Sequence, residues 1–348
     1  MRSHVLQRHG EYGIVDAWPR VDRVTARGDV MKAIVQERFG PPDVLRLVDT
    51  DLPEIGPGDV RVRVHAAALN PYDWHMLRGD PMIARLMPDG VGLRRPRHRV
   101  AGIDAAGRVE AVGANVRGLR PGDEVLGFCP GAFAEYARAE AGQVVPKPTS
   151  LTFEQAAAVP MAATTALRGI REVGAVRAGH RVLVNGAAGG VGTYAVQIAV
   201  ALGAEVTGVC GSGNAELVRS LGAADVVDYT ADDFTERRAH YDVILDNVGN
   251  RPLSRLRRAL TPAGTLVLNA GGSPGRVVGA IGPILRAVAV NGLVRQRLRP
   301  LPSREDGAEL AAVTGLIEEG KLRPVIDRTY PLADTAAGLS YVEQGHVR

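Results

Sequence analysis

Val182-Leu-Val-Asn-Gly186-Ala-Ala-Gly189-Gly190-Val-Gly192 joins an apolar, β-branched run to an alanine- and valine-rich one through four glycines. A strand turning into a helix through such a loop brings backbone N–H groups up to a pyrophosphate. Glycine has no Cβ to hold the phosphate off, and the helix N-terminus adds donors and a positive dipole end. The pattern continues outward in helix and strand alternation. Strands are expected at 181–184, 205–209, 225–227, 243–245 and 265–268, and helices at 192–202, 215–221 and 253–260. Repeated βα units of this length specify a doubly wound parallel sheet with helices on both faces, and Gly186, Gly189, Gly190, Val191 and Gly192 as its dinucleotide loop.

The end of the second strand decides between nicotinamide cofactors, because an acid there binds the adenosine ribose diol and repels a 2′-phosphate. Val209-Cys210-Gly211-Ser212-Gly213-Asn214 carries none, which favours NADPH, with NADH as a weaker alternative. Ser212, Asn214 and Tyr229 can donate to a phosphate or can simply shape the turn. No Arg or Lys stands in this loop, so the preference is soft.

On the N-terminal side the texture is β. Met31-Lys-Ala-Ile-Val-Gln begins a strand, and Asp59-Val-Arg-Val-Arg-Val-His65 alternates with period two. Gly56-Pro57-Gly58-Asp59, Pro121-Gly122-Asp123 and Pro146-Lys-Pro148 separate short β-branched runs. Ser150-Leu-Thr-Phe-Glu154 reads as a helix start with Glu154 completing a capping box. The last fifty or so residues give a helix over 304–319 and a strand-like piece at 324–326.

The chain has 348 residues with 45% hydrophobic and 23% charged residues, an ordinary globular composition with room for two domains. The net charge of +4 is diffuse and gives no sign of a nucleic-acid surface. Cys129 and Cys210 are the only cysteines, too few for a disulfide framework or a four-thiolate zinc lobe, and they read as small buried hydrophobes in a reducing, cytoplasmic compartment. Residues 1–30 contain Glu11, Asp16, Asp22 and Asp29 and have neither a signal-peptide core nor transit-peptide character. They are expected to be a disordered extension. The stretch 277–294 is broken by Gly279, Gly282, Pro283, Arg286 and Asn291, so a buried or cap helix is expected rather than a membrane span.

The order of parts resembles the medium-chain dehydrogenase/reductase superfamily, in its zinc-free quinone oxidoreductase branch. The carriers are Asn70-Pro-Tyr-Asp73, Gly102-Ile-Asp-Ala-Ala-Gly107, Pro121-Gly-Asp-Glu-Val-Leu-Gly127, Phe133-Ala-Glu-Tyr136, Ala157-Ala-Val-Pro160, Thr165-Ala-Leu, the loop at 185–192 and Asp246-Asn-Val-Gly249. The likeness covers about residues 31–348. It implies a GroES-like β-rich catalytic domain (31–152 and 293–348), an inserted Rossmann NADP-binding domain (153–292), an active site between them, and a homodimer joined through the edges of the Rossmann sheets. Residues 1–30 have no counterpart, and the chain stops at Gly345-His-Val-Arg348 where relatives continue into a short strand.

At the positions where zinc-dependent relatives carry metal ligands this chain has Asn70, Ile103, Asp104 and Met161. A lone carboxylate does not make the N/S-rich site that catalytic zinc prefers, so no metal is expected. The resemblance places Asn70 and Thr165 near the nicotinamide and its ribose, Val248 and Gly249 under the ring, and Ala270, Gly271 and Gly272 at the same sheet edge. Tyr72 and His75 follow Asn70 closely enough to line one pocket, with His75 as a proton relay or a surface histidine, and Asp73 binding backbone N–H groups. The apolar stretch 275–298 suits one wall of a pocket for a lipophilic or aromatic carbonyl substrate.

Without a metal electrophile, acceptors that spread the incoming charge over a π-system are the easier ones. The expected activity is therefore NADPH-dependent reduction of a quinone, enone or related activated carbonyl. An alcohol or aldehyde dehydrogenase of the same fold is the alternative, and a non-catalytic NADPH-binding sensor or scaffold the alternative of another class.

Overall fold

The computed structural model describes residues 13–16, 30–80, 85, 92–269 and 281–345. Two large sheets organise them. The C-terminal one has six strands, all parallel, in the spatial order Asp225–Asp228, Glu205–Cys210, Arg181–Asn185, Tyr241–Asp246, Leu260–Leu268, Arg297–Pro300. Strand order reverses at Arg181–Asn185, whose two neighbours follow it on opposite sides, and the crevice at the carboxyl ends there is where open sheets bind ligands.

Alternation along the central strand explains the two helical layers. Val182 and Val184 join Val206, Val243, Leu245 and Val267 against Ala195, Val196 and Ile198 of the helix Gly190–Ala201. Leu183 points the other way, with Ile244 and Leu266 against Leu256, Ala259 and Ala287. Both faces are covered, as near-continuous apolar parallel strands require, and the doubly wound expectation is met. The boundaries move by a few residues at most: the helix expected at 192–202 starts two residues earlier, at Gly190, and the strand expected from 265 reaches back to Leu260.

The N-terminal β-rich unit is a seven-stranded sheet around Asp59–Ala68, which pairs antiparallel with Asp104–Val112 and Tyr136–Glu140. Its core gathers Val60, Val62, Val64, Ala105, Val109, Val125 and Phe133, and the C-terminal helix Thr335–Glu343 adds Leu339 and Val342. The chain's end thus completes the first unit.

Four expectations need correction. The helix after Pro148 is capped by Thr152, not Ser150: the Gln155 N–H donates to Thr152 Oγ1 (3.2 Å) and the Thr152 N–H to Gln155 Oε1 (3.0 Å), so Glu154 is not the box partner. The helix expected over 304–319 is Gly307–Glu318, because Asp306 accepts from the Ala308 and Glu309 N–H groups and fixes its start. The late strand is Arg328–Pro331 rather than 324–326. Within residues 1–30, expected to be disordered, Gly13–Asp16 runs as a strand between Arg328–Pro331 and the Ala67–Ala68 end of Asp59–Ala68, where it satisfies backbone groups on both neighbours.

In the stretch 277–294 the helix Ile281–Asn291 lays Ile284, Ala287 and Val290 on the parallel sheet and leaves Leu285 and Val288 exposed, so it is buried on one face only. Among the described residues no helix is long and apolar enough to cross a membrane.

Candidate active site

The glycine loop forms the turn that the sequence pattern demands. Gly186 has φ +77°, the left-handed region that favours glycine, and a Cβ on Gly192 would lie 2.0 Å from the Gly186 carbonyl oxygen. Helix and loop therefore approach more closely than any side chain permits. The helix Gly190–Ala201 begins after Gly189 with no side-chain cap and no acid in its first turn. Its leading N–H groups and dipole end stand ready for an anion, and a pyrophosphate fits them.

Beside this loop, Asn185 Nδ2 donates to Asp246 Oδ1 (2.8 Å) across the crevice between the two central strands. The same oxygen accepts from the Val248 N–H (3.2 Å) and the Gly249 N–H (3.0 Å), fixing the turn at the edge of the crevice. Asn269 extends the polar edge by donating to Asn247 Oδ1 (3.0 Å). Ala270, Gly271 and Gly272 lie outside the described residues.

At the far end of the crevice, Ser212 and Asn214 form a short turn after Cys210, and the Tyr229 ring lies against Gly211. The structure adds one feature the loop sequence did not reveal. The adjoining strand ends in Asp228, in register with Cys210, and its Oδ1 is taken by the N–H (2.9 Å) and hydroxyl (2.7 Å) of Thr230.

The chemistry-bearing groups of the first unit meet the second at Asp104. Pro71 opens the helix Pro71–Arg78 and Asn70 precedes it, its N–H donating to Asp73 Oδ2 (2.7 Å). Asn70 Nδ2 donates to Asp104 Oδ2 (3.1 Å), and so does the Met161 N–H (2.9 Å) at the start of the helix Pro160–Leu167. Thr165 lies one turn further along that helix, on the side of Met161. Asp104 is 1% exposed, and its Oδ1 is buried without a hydrogen-bond partner. Burial holds the Asp104 carboxyl well above the usual carboxylate range, so it favours the neutral acid.

Tyr72 stands next to this pair. Burial pushes its phenol up to about 12, and the charges of Glu305, Asp73 and Asp104 act in the same direction. It remains a hydrogen-bond donor at any physiological pH. His75 follows three residues further along the same helix. His75 stacks on Trp74 with ring centroids 3.6 Å apart, burial lowers its pKa, and the acids acting on it are Asp80 and Glu343. The charges acting on the two side chains differ, although residues three apart on a helix share one side of it.

Asn70, Ile103, Asp104 and Met161 do not fit zinc. Asp104 Oδ2 already accepts two N–H groups, Ile103 is a buried alkyl group, and Asn70 offers an amide committed to Asp104. Among the described residues no group of three or more His, Cys, Asp or Glu side chains gathers to hold a metal. Cys129 and Cys210 are both buried, and burial raises the Cys129 thiol pKa, which disfavours a thiolate.

Asp73 supplies a pH test. Burial pushes its carboxyl up to about 7 from 3.8, against the opposing Asn70 N–H. Between these values the folded chain holds a proton that the unfolded chain has lost, so this group's contribution to stability falls as pH rises through the window, by at most about 1.4 kcal/mol per pH unit. Asp73→Asn keeps the acceptor for the Asn70 N–H and removes the titration. Its urea-unfolding free energy should gain on the wild type from about pH 4 to about pH 7 and then run parallel. A gain in the opposite direction would refute the assignment.

Residues 56–149 match the family model described as alcohol dehydrogenase GroES-like domain, and residues 221–348 the model described as zinc-binding dehydrogenase. The mouse (Mus musculus) mitochondrial NAD(P)H oxidoreductase RTN4IP1 is 35% identical over 365 residues, covering 94% of this chain and 90% of its own. The tomato (Solanum lycopersicum) 2-methylene-furan-3-one reductase is 32% identical, covering 90% of this chain and 76% of its own. Among solved structures, the quinone oxidoreductase from Coxiella burnetii superposes with a TM-score of 0.78 at 30% identity, covering 92% of this chain and 98% of that one. The Escherichia coli quinone oxidoreductase complexed with NADPH gives a TM-score of 0.76 at 26% identity, covering 91% and 98%.

Proposed function

The chain is an NAD(P)H oxidoreductase of the medium-chain dehydrogenase/reductase superfamily, in its quinone oxidoreductase-like branch, and on that premise we propose that it uses NADPH to reduce a quinone, enone or related activated carbonyl without zinc. The observation that carries the reading is the donor set itself, Asn70, Ile103, Asp104 and Met161, which offers one carboxylate and no His or Cys, with Asp104 Oδ2 accepting from Asn70 Nδ2 and the Met161 N–H. Polarisation of the acceptor then falls to protein donors, which is sufficient where charge spreads over a conjugated system. Relatives named for a 2-methylene-furan-3-one and for alkenals and alkenones agree with such acceptors.

NADPH, when bound, supplies the hydride. Gly186, Gly189, Gly190, Val191 and Gly192 hold its pyrophosphate. Val248, Gly249, Ala270, Gly271, Gly272, Asn70 and Thr165 border the nicotinamide end, and Ser212, Asn214 and Tyr229 border the adenosine end. Asp104 fixes the Asn70 amide, and Tyr72 donates to the acceptor oxygen as charge develops there. Preference for NADPH over NADH rests on the acid-free Ser212–Asn214 turn and on Thr230 engaging Asp228. Its moderate size follows from the lack of a cation in that turn. His75 keeps a lesser place as a proton relay. The reading includes a homodimer through the edge strand Arg297–Pro300 and a cytoplasmic, reducing compartment suited to two buried cysteines.

The test is NADPH and NADH oxidation at 340 nm with a quinone and an enone panel, on protein stripped of metal with a chelator. Turnover that survives stripping and favours NADPH is expected. Activity that vanishes on stripping and returns with zinc would favour the alcohol or aldehyde reading. Tight NADPH binding with no turnover on any acceptor would favour a sensor or scaffold.

A further inference from the structure

Arg168 opens the π-helical stretch Arg168–Val173 that continues the helix Pro160–Leu167, and its side chain is only 2% exposed. A buried guanidinium carries several N–H donors that need acceptors, and here they go to one short segment of the chain. Nη1 donates to the Pro302 carbonyl (2.8 Å), Nη2 to the Arg304 carbonyl (3.1 Å) and Nε to Glu309 Oε1 (3.0 Å), while Nη2 also meets Glu309 Oε2. Met161, Thr165 and Arg168 follow one another at i, i+4 and i+7, so they share one face of the continuous helix.

The segment Leu301–Asp306 is a strap that runs from the parallel sheet back to the first unit. The Leu301 N–H donates to the Leu268 carbonyl (2.8 Å) at the end of the strand Leu260–Leu268. The Leu301 side chain packs on the helix at Gly169, where an added Cβ would stand 3.1 Å from Leu301 Cδ2. The Ser303 hydroxyl donates to the Met161 sulfur (3.6 Å). Beyond it Asp306 caps the helix Gly307–Glu318, and a Cβ on Gly307 would stand 1.8 Å from the Gly142 carbonyl oxygen in the turn Ala141–Gln143 of the first unit. The strap thus touches the helix at Met161, Arg168 and Gly169, and it crosses the face on which Thr165 stands between the first two. The Met161 N–H in turn donates to Asp104 Oδ2 (2.9 Å), the same oxygen that holds the Asn70 amide (3.1 Å).

We propose that Arg168 is a positioning residue for the nicotinamide end of the cofactor site: by holding the Pro302 and Arg304 carbonyls it clamps the strap across the helix face that carries Met161 and Thr165, and so fixes where that face stands against Asp104 and Asn70. The proposal rests on the reading above, in which Thr165 and Asn70 border the nicotinamide, and deepens it by naming what holds them in place. Glu309 compensates the buried cation, while the carbonyl bonds supply the aim. A lysine in its place keeps the charge opposite Glu309, but a compact ammonium does not span Pro302, Arg304 and Glu309 together as the planar fork does.

The experiment measures, for the wild type, Arg168→Lys, Arg168→Met and Glu309→Gln, the dissociation constants of NADPH and of 2′-phospho-ADP, which is NADPH without its nicotinamide riboside, together with kcat and KM on an enone and the thermal unfolding temperature. Both Arg168 variants should bind NADPH more weakly and lower kcat, each on the order of tenfold, while 2′-phospho-ADP, confined to the glycine loop and the adenosine end, binds within about twofold of the wild type. Glu309→Gln keeps the bonds to the Pro302 and Arg304 carbonyls and should lower the unfolding temperature while changing NADPH binding and kcat about twofold or less. An equal loss for NADPH and 2′-phospho-ADP overturns the proposal, because the whole fold has then loosened, as does NADPH binding and turnover unchanged in both Arg168 variants. A Glu309→Gln protein that loses as much as Arg168→Lys overturns it too, since the ion pair and not the clamp would then be decisive. Should Arg168→Met fail to fold, Arg168→Lys decides by the same outcomes. If the wild type turns over no acceptor while the split between the two ligands holds, the role of Arg168 stands and the reductase reading falls.

Discussion

Gly192→Ala is expected to weaken NADPH binding at least about 100-fold, the equivalent of roughly 3 kcal/mol, while leaving the parallel sheet assembled. The added methyl would meet the Gly186 carbonyl oxygen at 2.0 Å and the Ala187 Cα at 2.8 Å, both backbone atoms that cannot rotate aside. Relief requires moving the loop off the helix, and the loop is tied down by the Gly186 and Ala187 N–H groups donating to the Val209 carbonyl. Moving it misaims the N–H groups that receive the pyrophosphate, so affinity suffers more than stability, for which overpacking costs about 1–3 kcal/mol. Fluorescence titration with NADPH, alongside thermal unfolding of the free protein, separates the two effects. An unchanged dissociation constant would show that the cofactor does not use this turn.

The doubly wound unit was legible because its strands are buried on both faces and its glycines sit where only glycine can. Val182 and Val184 face one core and Leu183 the other, so the sequence shows a short unbroken apolar run. The helix starts were less legible where two candidate caps stood close together: Ser150 and Thr152 are chemically equivalent signals, and tertiary placement chose Thr152. The candidate site was legible through the resemblance, which set Asn70, Asp104 and Met161 together, and not from any local pattern. Asp104 meets Asn70 across 34 residues and Met161 across 57, and Arg168 meets the Pro302–Glu309 segment across more than 130. No local pattern announces such contacts.

Tyr72 gives the second large effect. Tyr72→Phe should lower kcat about 100-fold, the lower end of what a positioned proton donor contributes, with KM for the acceptor changing far less. The phenol is half-buried, and its pKa of about 12 keeps it protonated. It can therefore strengthen a hydrogen bond to the acceptor oxygen as negative charge grows, an interaction made mainly in the transition state, and its loss appears in kcat. The wild-type rate should show no alkaline limb from this group below about pH 11, one unit under its pKa. His75→Gln should change kcat only about threefold or less, since its ring is stacked on Trp74. Steady-state kinetics of the two variants from pH 6 to pH 10 decide the matter. A His75→Gln protein that loses activity as Tyr72→Phe was expected to, while Tyr72→Phe retains it, would transfer the proton-donating role to the histidine.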